Sequence, residues 1–278
     1  DRMLYITLAI TLIVFVLTQI ALFWFSYKYQ EKEGQKAYYF PHNNKLELIW
    51  TVIPAITLTV LVGFGLYYWY EITGEAPEDA QVVEVTGKQF GWEFRYPGAD
   101  GKLGKKYYRE INPAKNNPLG QIWQDPANHD DIVASQEMHL VVNKPVRLVI
   151  YSKDVIHDVG LAHFRLKMDA VPGMPTTMWF TPKFTTREMK QKYGDDFTYE
   201  ISCDQMCGAG HFSMRGTIIV ESQAEFNVYM AKQKSQYSLA MAGEQTSPAN
   251  VPGASGDSTQ QKQTTPSTDS TGNRTAIR

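Results

Sequence analysis

Cysteine is scarce in this sequence, because its 278 residues include only two, Cys203 and Cys207. A fold held together by several disulfides is therefore excluded, and the two thiols must either pair locally or bind something. An excess of positive charge is also lacking, since 27 Lys and Arg are balanced by 29 Asp and Glu for a net charge of -2. Without a basic block, no nucleic-acid partner is expected.

Charge is absent from two long stretches, and this absence predicts a membrane anchor. Residues 3–27 and 48–70 contain no charged side chain, and each stretch is long enough for a helix across a hydrocarbon core of about 30 Å. A signal peptide is a poor alternative for the first stretch, whose apolar run is too long and lacks a basic start. We therefore expect a two-helix transmembrane hairpin over residues 1–73, with spans at about 3–27 and 48–70.

The distribution of lysine predicts the orientation of this anchor. The loop between the two spans carries four lysines, whereas residues 71–90 carry one lysine among five acidic side chains. Because positive charge concentrates in cytoplasmic loops, we expect the loop inside the cell and both chain ends outside. Glu47 then lies at the cytoplasmic mouth of the second span, either as a solvated cap or as part of an ion path.

The rest of the chain predicts one soluble β-domain over residues 74–234 and a disordered tail over residues 235–278. Short alternating or β-branched runs, separated by turns rich in Gly, Pro and Asn, are typical of an antiparallel sandwich or barrel. Residues 97–135 indicate a long surface loop, and residues 223–234 indicate a short closing helix. The tail is rich in Ser, Thr and Gln and has few large apolar side chains to order it. The β-runs are residues 82–87, 90–96, 138–152, 176–182 and 216–222.

The residues with the clearest chemistry lie in the segment SCDQMCGAGHFSMRG. It places Cys203, Cys207, His211 and Met214 at spacings of four, four and three. Two thiolates, an imidazole and a thioether form a soft ligand set that selects copper over hard cations. A second histidine is needed from elsewhere, and His157 follows a strand-like run and opens a predicted loop, where a distant ligand is expected.

Two other uses of this segment stay open from the residues alone. The two cysteines could form a disulfide, although a bridge enclosing three residues would be strained. They could instead hold a structural zinc ion, although zinc has little use for methionine and the spacing is not Cys-x2-Cys. The histidines His129, His139 and His163 have no ligand companions nearby in the sequence and are expected to be structural.

Several ordered motifs resemble subunit II of the heme-copper terminal oxidases, the cytochrome c oxidase family. The resemblance covers residues 3–234 and includes the two-helix hairpin, ELIWTVIPA, QFGWEFRY, KMDAVPG and the cysteine-containing loop. It implies a membrane-anchored cupredoxin-like Greek-key β-sandwich that carries a binuclear copper centre, CuA. In that centre Cys203 and Cys207 would bridge two copper ions, with His157 and His211 capping one each. Met214 would be a weak axial ligand, and the backbone carbonyl of Gln205 would be the remaining axial ligand.

The sequence departs from the family at two positions. Gln205 stands where many members have a glutamate that reaches a magnesium ion at the interface with subunit I, and an amide supplies no negative charge. The magnesium ion is therefore in doubt here. Phe90 stands where a tryptophan commonly receives electrons from cytochrome c, and Trp92 follows two residues later. Phe90 and Trp92 are together the expected point where electrons enter.

Three further positions acquire roles through the resemblance. Glu47 matches a glutamate at the entrance of the proton path into subunit I. Asp154 and Asp169 match acidic positions near the copper domain, the first expected to face the donor and the second the subunit interface. Lys153 replaces an acidic neighbour found in some members, which weakens a purely electrostatic picture of donor docking.

The resemblance implies electron transfer as the function. The chain would accept electrons from a cytochrome c, or a cytochrome c domain, and pass them to heme in subunit I, where oxygen is reduced to water with proton pumping. Its partners would be subunits I and III and membrane lipid. It would lie in the bacterial inner membrane, with the copper domain in the periplasm. The alternative is a copper-free structural subunit of a quinol-type oxidase.

Overall fold

The computed structural model describes residues 2–36 and 39–245, and it begins with two long apolar helices. Helix α1 spans Arg2–Lys28 and helix α2 spans Asn44–Thr73, with mean hydropathies of 2.5 and 2.0 and no buried side chains. By length and composition both are able to cross a membrane. Helix α2 begins four residues before the predicted span, because the side chain of Asn43 accepts a hydrogen bond from the N–H of Leu46 and caps the helix.

Ten strands follow and form two five-stranded sheets. The first sheet has the order β3-β2-β1-β5-β8, and the second has the order β4-β10-β9-β6-β7. The strands are β1 Gln81–Lys88, β2 Gly91–Tyr96, β3 Ile132–Ser135, β4 Glu137–Val141, β5 Val146–Ser152, β6 His157–Leu161, β7 Leu166–Ala170, β8 Thr176–Phe180, β9 Tyr199–Cys203 and β10 Arg215–Glu221.

Neither sheet is wholly antiparallel, which corrects one expectation. Strand β1 pairs with β5 in parallel, from Gln81 opposite Val146 to Gly87 opposite Ser152, and β4 pairs with β10 in parallel. The ladders of β5 with β8 and of β9 with β10 are antiparallel. Alternation of apolar residues fixes which face of a strand is buried, but it does not fix the direction of the neighbouring strand.

Apolar side chains from both sheets form the core. Strand β9 shows why, because Tyr199, Ile201 and Cys203 alternate with more exposed residues and are all buried. The last inward position of this row is a cysteine, so the strand pattern itself carries a thiol to the edge of the core. Other fully buried core side chains are Val83, Val85, Trp92, Phe94, Met138, Leu140, Leu148, Ile150, Val159, Leu161, Met178 and Ile218.

The chain divides into two compact units. The first contains residues 1–94 and 134–228, and the second contains residues 95–133 and 229–278. Within the second unit, most of the predicted surface loop is irregular, with three short 3-10 helices at Tyr108–Glu110, Pro113–Lys115 and Pro126–Asn128. A buried polar network organises this unit, in which the guanidinium of Arg95 contacts Asp131, Asn128 and the carbonyl of Gly104, each at 3.1 Å.

The C-terminal helices confirm one expectation and correct another. Helix α4, Gln223–Lys232, lies where a closing helix is predicted. Helix α5, Gln236–Gln245, occupies the start of the segment expected to be disordered. It is ordered because the ring of Tyr237 stacks on His129 at 4.1 Å and Ala240 is buried, contacts that composition does not reveal. The rest of the predicted tail, residues 246–278, lies outside the described residues. A further helix, α3, Thr186–Tyr193, precedes β9.

Candidate metal centre

Two paired strands, β9 and β10, hold the two ends of the cysteine-containing loop together. Cys203 ends β9, and Met214 immediately precedes β10, whose Arg215 pairs with Ser202. The N–H of Cys203 donates to the carbonyl of Met214 at 3.1 Å, which closes the loop. Between these ends Cys207 is buried and His211 begins a short 3-10 helix. The sheet thus brings the ligands predicted from one short motif back to one place.

The distant ligand His157 reaches the same place through strand pairing. It is the first residue of β6 and is fully buried, which corrects the expectation that it opens a loop. Strand β6 pairs with β9, with Val159 opposite Cys203. This pairing brings Nδ1 of His157 to 3.7 Å from Sγ of Cys203, across 46 residues of sequence.

The six predicted ligand groups form two sets, each centred on one thiol. Sγ of Cys203 lies 3.7 Å from Nδ1 of His157 and 3.1 Å from the carbonyl oxygen of Gln205. The second set consists of Sγ of Cys207 with Nδ1 of His211 at 3.7 Å and Sδ of Met214 at 3.8 Å. Ligand atoms of His157, Cys203 and Cys207 all lie within 4.8 Å of one another, which joins the sets.

This donor set fits a pair of copper ions better than the two alternatives. Both cysteines are free thiols, so the structure holds no disulfide between them. Burial and the neighbouring Cys203 raise the pKa of Cys207 to about 11, so a cation is needed to hold this sulfur as a thiolate near neutral pH. Each thiol has its own imidazole and its own additional soft or carbonyl donor, an arrangement for two ions rather than for one tetrahedral zinc.

A carboxylate orients His157 from behind. Oδ1 of Asp154 lies 2.8 Å from Nε2 of this histidine, which leaves Nδ1 free to face the thiol of Cys203. Burial tends to raise the pKa of Asp154, but hydrogen bonds from the N–H of Gln89 and from His157 hold it below its ordinary value. Asp154 therefore stays ionised near neutral pH and fixes the ring through a charge-assisted hydrogen bond. The resemblance had placed Asp154 toward the donor, whereas these contacts place it beside a ligand.

The two aromatic residues expected to receive electrons lie in different environments. Phe90 is 40% exposed and sits in the two-residue turn between β1 and β2. Trp92 is fully buried, with its ring centroid 6.2 Å from that of His157, and its indole N–H has no hydrogen-bond partner in the described part of the chain. A buried ring has no surface for a partner protein, so of the two rings only that of Phe90 is exposed for direct contact.

The remaining predicted positions are placed as follows. Glu47 lies in the first turn of α2, where the helix dipole favours a carboxylate. Lys153 lies 3.6 Å from the buried carboxylate of Glu93, which also pairs with Lys88. The side chain of Gln205 is exposed, so only its carbonyl is directed at the thiols.

The three histidines expected to be structural each contact neighbouring side chains away from the thiols. His139 is buried between two carboxylates, with Nδ1 2.8 Å from Glu221 and Nε2 3.2 Å from Glu137. His129 stacks on Tyr237, and His163 packs edge-on against Phe197 and Tyr199. None belongs to the group of metal-binding side chains found among the described residues.

An acidic row lies beside the ligands, and the sequence points to only one of its members, Asp169. Asp158 faces Asp169 across the ladder between β6 and β7, and the N–H of Asp204 donates to the carbonyl of Asp158 at 3.3 Å. Burial and a hydrogen bond with Asp169 raise the pKa of Asp158 to about 6, despite the nearby Lys167. Successive side chains of a strand point to opposite faces of the sheet, so the position of Asp158 directly after His157 indicates that the two lie on opposite faces of β6.

We expect Asp158→Asn to stabilise the metal-free chain at pH 8. A carboxyl with a raised folded-state pKa stabilises the fold while protonated, and this contribution is lost as the pH rises from 3.8 to about 6. At pH 8 the variant should melt at least about 2 °C higher than the wild type. The difference should shrink as the pH falls toward 4.5. Equal melting temperatures at pH 8 would contradict this account, and Glu200→Gln, at an exposed acid on β9, is the control.

Comparison with known proteins places these features in a family context. A model of the transmembrane domain of cytochrome C oxidase subunit II matches residues 1–67, and one of the periplasmic domain of that subunit matches residues 81–223. The chain is 36% identical over 235 residues to alternative cytochrome c oxidase subunit 2 of Bradyrhizobium diazoefficiens, covering 84% of this chain and 80% of that protein.

Two further relatives show the same likeness. Cytochrome c oxidase subunit 2 of Cereibacter sphaeroides is 28% identical over 240 residues, covering 83% of this chain and 73% of that protein. Among solved structures, the periplasmic domain of subunit II of cytochrome oxidase of Bradyrhizobium japonicum matches with a TM-score of 0.41 and 22% identity, covering 59% of this chain and 99% of that one. The family matches cover both the helical hairpin and the sandwich with its thiol-containing loop.

Proposed function

The chain belongs to the cytochrome c oxidase subunit II family, and we propose that it transfers electrons through a binuclear copper centre within the oxidase. As a member of this family it is a membrane-anchored component of a respiratory oxidoreductase, with a cupredoxin-like β-sandwich as its periplasmic domain. The observation that carries the proposal is the pair of ligand sets, one centred on Cys203 and one on Cys207.

Each residue of the site has a defined task in this proposal. Cys203 and Cys207 would hold the copper pair through their thiolates, His157 and His211 would each supply an imidazole, and Met214 and the carbonyl of Gln205 would complete the two sets. The copper pair, when bound, accepts and donates one electron at a time. The protein keeps water away by burying both sulfurs and keeps the ligands in place with the paired strands β6, β9 and β10 of the second sheet, so little has to move during transfer.

Electron delivery and acceptance involve partners outside this chain. We place the donor, a cytochrome c or a cytochrome c domain, against the exposed ring of Phe90, and the acceptor heme in subunit I. Oxygen reduction to water and proton pumping belong to the assembled oxidase, in which subunit III and membrane lipid are further partners. Gln205 offers an exposed amide in place of a carboxylate, so the proposal includes no magnesium ion held by this side chain.

The orientation in the membrane follows from the charge pattern of the anchor. The lysine-rich loop between α1 and α2 lies in the cytoplasm, and the sandwich and both termini lie on the periplasmic side of the bacterial inner membrane. Glu47, in the first turn of α2, then faces the cytoplasm at the entrance of the proton path. The copper-free, quinol-type alternative is not favoured, since the complete soft ligand set is present and the relatives named above are cytochrome c oxidase subunits.

Metal analysis tests the proposal directly. The reduced full chain, purified in detergent and reconstituted with copper, should bind two copper ions per chain. Its electron paramagnetic resonance spectrum should show one unpaired electron shared by both nuclei. One copper ion per chain, a preference for zinc, or no bound metal after thiol reduction would refute the proposal.

Two methionines in the same loop provide a matched test of whether Met214 is a metal ligand. Met214 is 1% exposed with its sulfur 3.8 Å from Sγ of Cys207, whereas Met206 is 74% exposed. We expect Met214→Leu to keep two copper ions but to shift the reduction potential by tens of millivolts, because a weak axial thioether tunes the potential. Met206→Leu should leave the potential unchanged. Equal potentials for both variants in voltammetry would remove Met214 from the ligand set.

A further inference from the structure

Gln89, outside the ligand set, makes two hydrogen bonds that lead to different halves of the site. It lies beside Phe90 in the turn between β1 and β2. Its main-chain N–H donates to Oδ2 of Asp154 at 2.7 Å, and its side-chain Nε2 donates to the carbonyl oxygen of Cys207 at 2.5 Å. The side-chain bond joins residues 118 positions apart, so it exists only once the sandwich has assembled.

Each bond continues to a different thiol. From Asp154, the path runs through Oδ1 to Nε2 of His157 at 2.8 Å, and Nδ1 of that ring faces Sγ of Cys203. From the carbonyl of Cys207, the path stays within one residue and reaches its own Sγ, beside His211 and Met214. One residue therefore connects the Cys203 set with the Cys207 set by hydrogen bonds.

The loop approaches the turn so closely that no side chain fits between them. Gly208 has a φ of +132°, and a Cβ there would lie 2.8 Å from Nε2 of Gln89. A Cβ on Gly210 would lie 2.6 Å from the ring of Phe90. The two glycines allow the loop backbone to reach the amide of Gln89, which makes this contact a specific feature of the loop.

We propose that Gln89 is a positioning residue, a clamp that keeps the Cys203 set and the Cys207 set at a fixed separation. This inference rests on the proposed function, because its purpose is to keep two metal positions at the separation at which they share one electron. Gln89 touches neither a ligand atom nor a donor protein in this role. It acts through Asp154 on one side and through the backbone of Cys207 on the other.

The metal-free chain provides the first test. Gln89→Met keeps the length of the side chain but removes its donor, so the loop should open more often and expose the buried thiol of Cys207. Loss of a hydrogen bond of ordinary strength predicts that Cys207 is alkylated about fivefold faster, as measured by peptide mass spectrometry. Gln191→Met, at an exposed glutamine of α3, should leave the rate unchanged. An unchanged rate in Gln89→Met would overturn the clamp.

The copper-loaded chain provides the second test. Gln89→Met should still bind two copper ions, but the unpaired electron should become unequally shared and the reduction potential should shift. Wild-type spectra and potential in this variant would overturn the role in holding the two positions at a fixed separation. If the wild type binds no copper pair, the proposed function fails, while the alkylation rates still decide the clamp.

A second variant, Gln89→Asn, keeps the proposal testable if Gln89→Met does not fold. Gln89→Asn retains the amide but withdraws it by one methylene, beyond reach of the carbonyl of Cys207. It should raise the alkylation rate in the same direction as Gln89→Met. A folded Gln89→Asn chain with the wild-type rate would contradict the clamp even if Gln89→Met did not fold.

Discussion

Replacing Cys207 with serine is expected to abolish the copper pair and to lower electron transfer by more than about 100-fold. Sγ of Cys207 is the common neighbour of His211 and Met214, and it lies within 4.8 Å of the ligand atoms of His157 and Cys203. A serine hydroxyl is a hard donor that stays protonated near neutral pH, so it cannot replace a bridging thiolate. The variant should bind at most one copper ion, with the unpaired electron confined to it.

Metal content and spectra of the purified variant check this expectation. Ser213→Ala is the matched control, because Ser213 lies in the same loop and its hydroxyl donates to the carbonyl of Gly210 rather than to a ligand group. This control should retain two copper ions and the shared electron. A Cys207→Ser chain with two copper ions and a delocalised electron would show that Cys207 does not bridge them.

The largest expected effect on stability comes from Arg95 in the second compact unit. Its guanidinium is 2% exposed and pairs with the fully buried carboxylate of Asp131, and it also contacts Asn128 and the carbonyl of Gly104. Arg95→Met leaves that carboxylate buried without its cation, which costs roughly 3–5 kcal/mol of unfolding free energy. Urea unfolding of the detergent-solubilised chain, followed by circular dichroism of the β-structure, measures the loss.

An exposed ion pair supplies the control for this variant. Arg187 pairs with Glu225 on the surface, where both side chains remain largely in water. Arg187→Met should therefore shift the urea midpoint far less than Arg95→Met, since solvent screens an exposed pair. Equal shifts for the two variants would mean that the buried network does not hold the second unit together.

The ligand loop was predictable because most of its chemistry is local in sequence. Cys203, Cys207, His211 and Met214 occur within one short segment, and their side chains meet in the structure much as the spacing suggests. His157 was also identified, although its strand was not, because β6 and its neighbours β7 and β9 are short and contain polar residues. The pairing of β6 with β9 places it, and pairing partners cannot be derived from alternation alone.

The contacts that support the ligands could not be predicted from spacing. The bonds of Gln89 to Asp154 and to Cys207 span 65 and 118 residues, respectively. The sequence leaves open whether Trp92 is a surface or a core aromatic, and the packing of the two sheets shows that it is buried. Helix α5 was missed for the same reason, because the stacking of Tyr237 on His129 joins distant segments.

The hydrogen bond that joins the two ends of the ligand loop has an evolutionary consequence. The bond from the N–H of Cys203 to the carbonyl of Met214 ends the loop where the sheet begins, so nearly all of the metal chemistry is confined to one hairpin tip. Substitutions between these two residues can alter or delete the proposed redox centre while the ten strands keep their pairing. Such a scaffold is evolvable: the same sandwich can gain, retune or lose a metal through changes to one tip and His157.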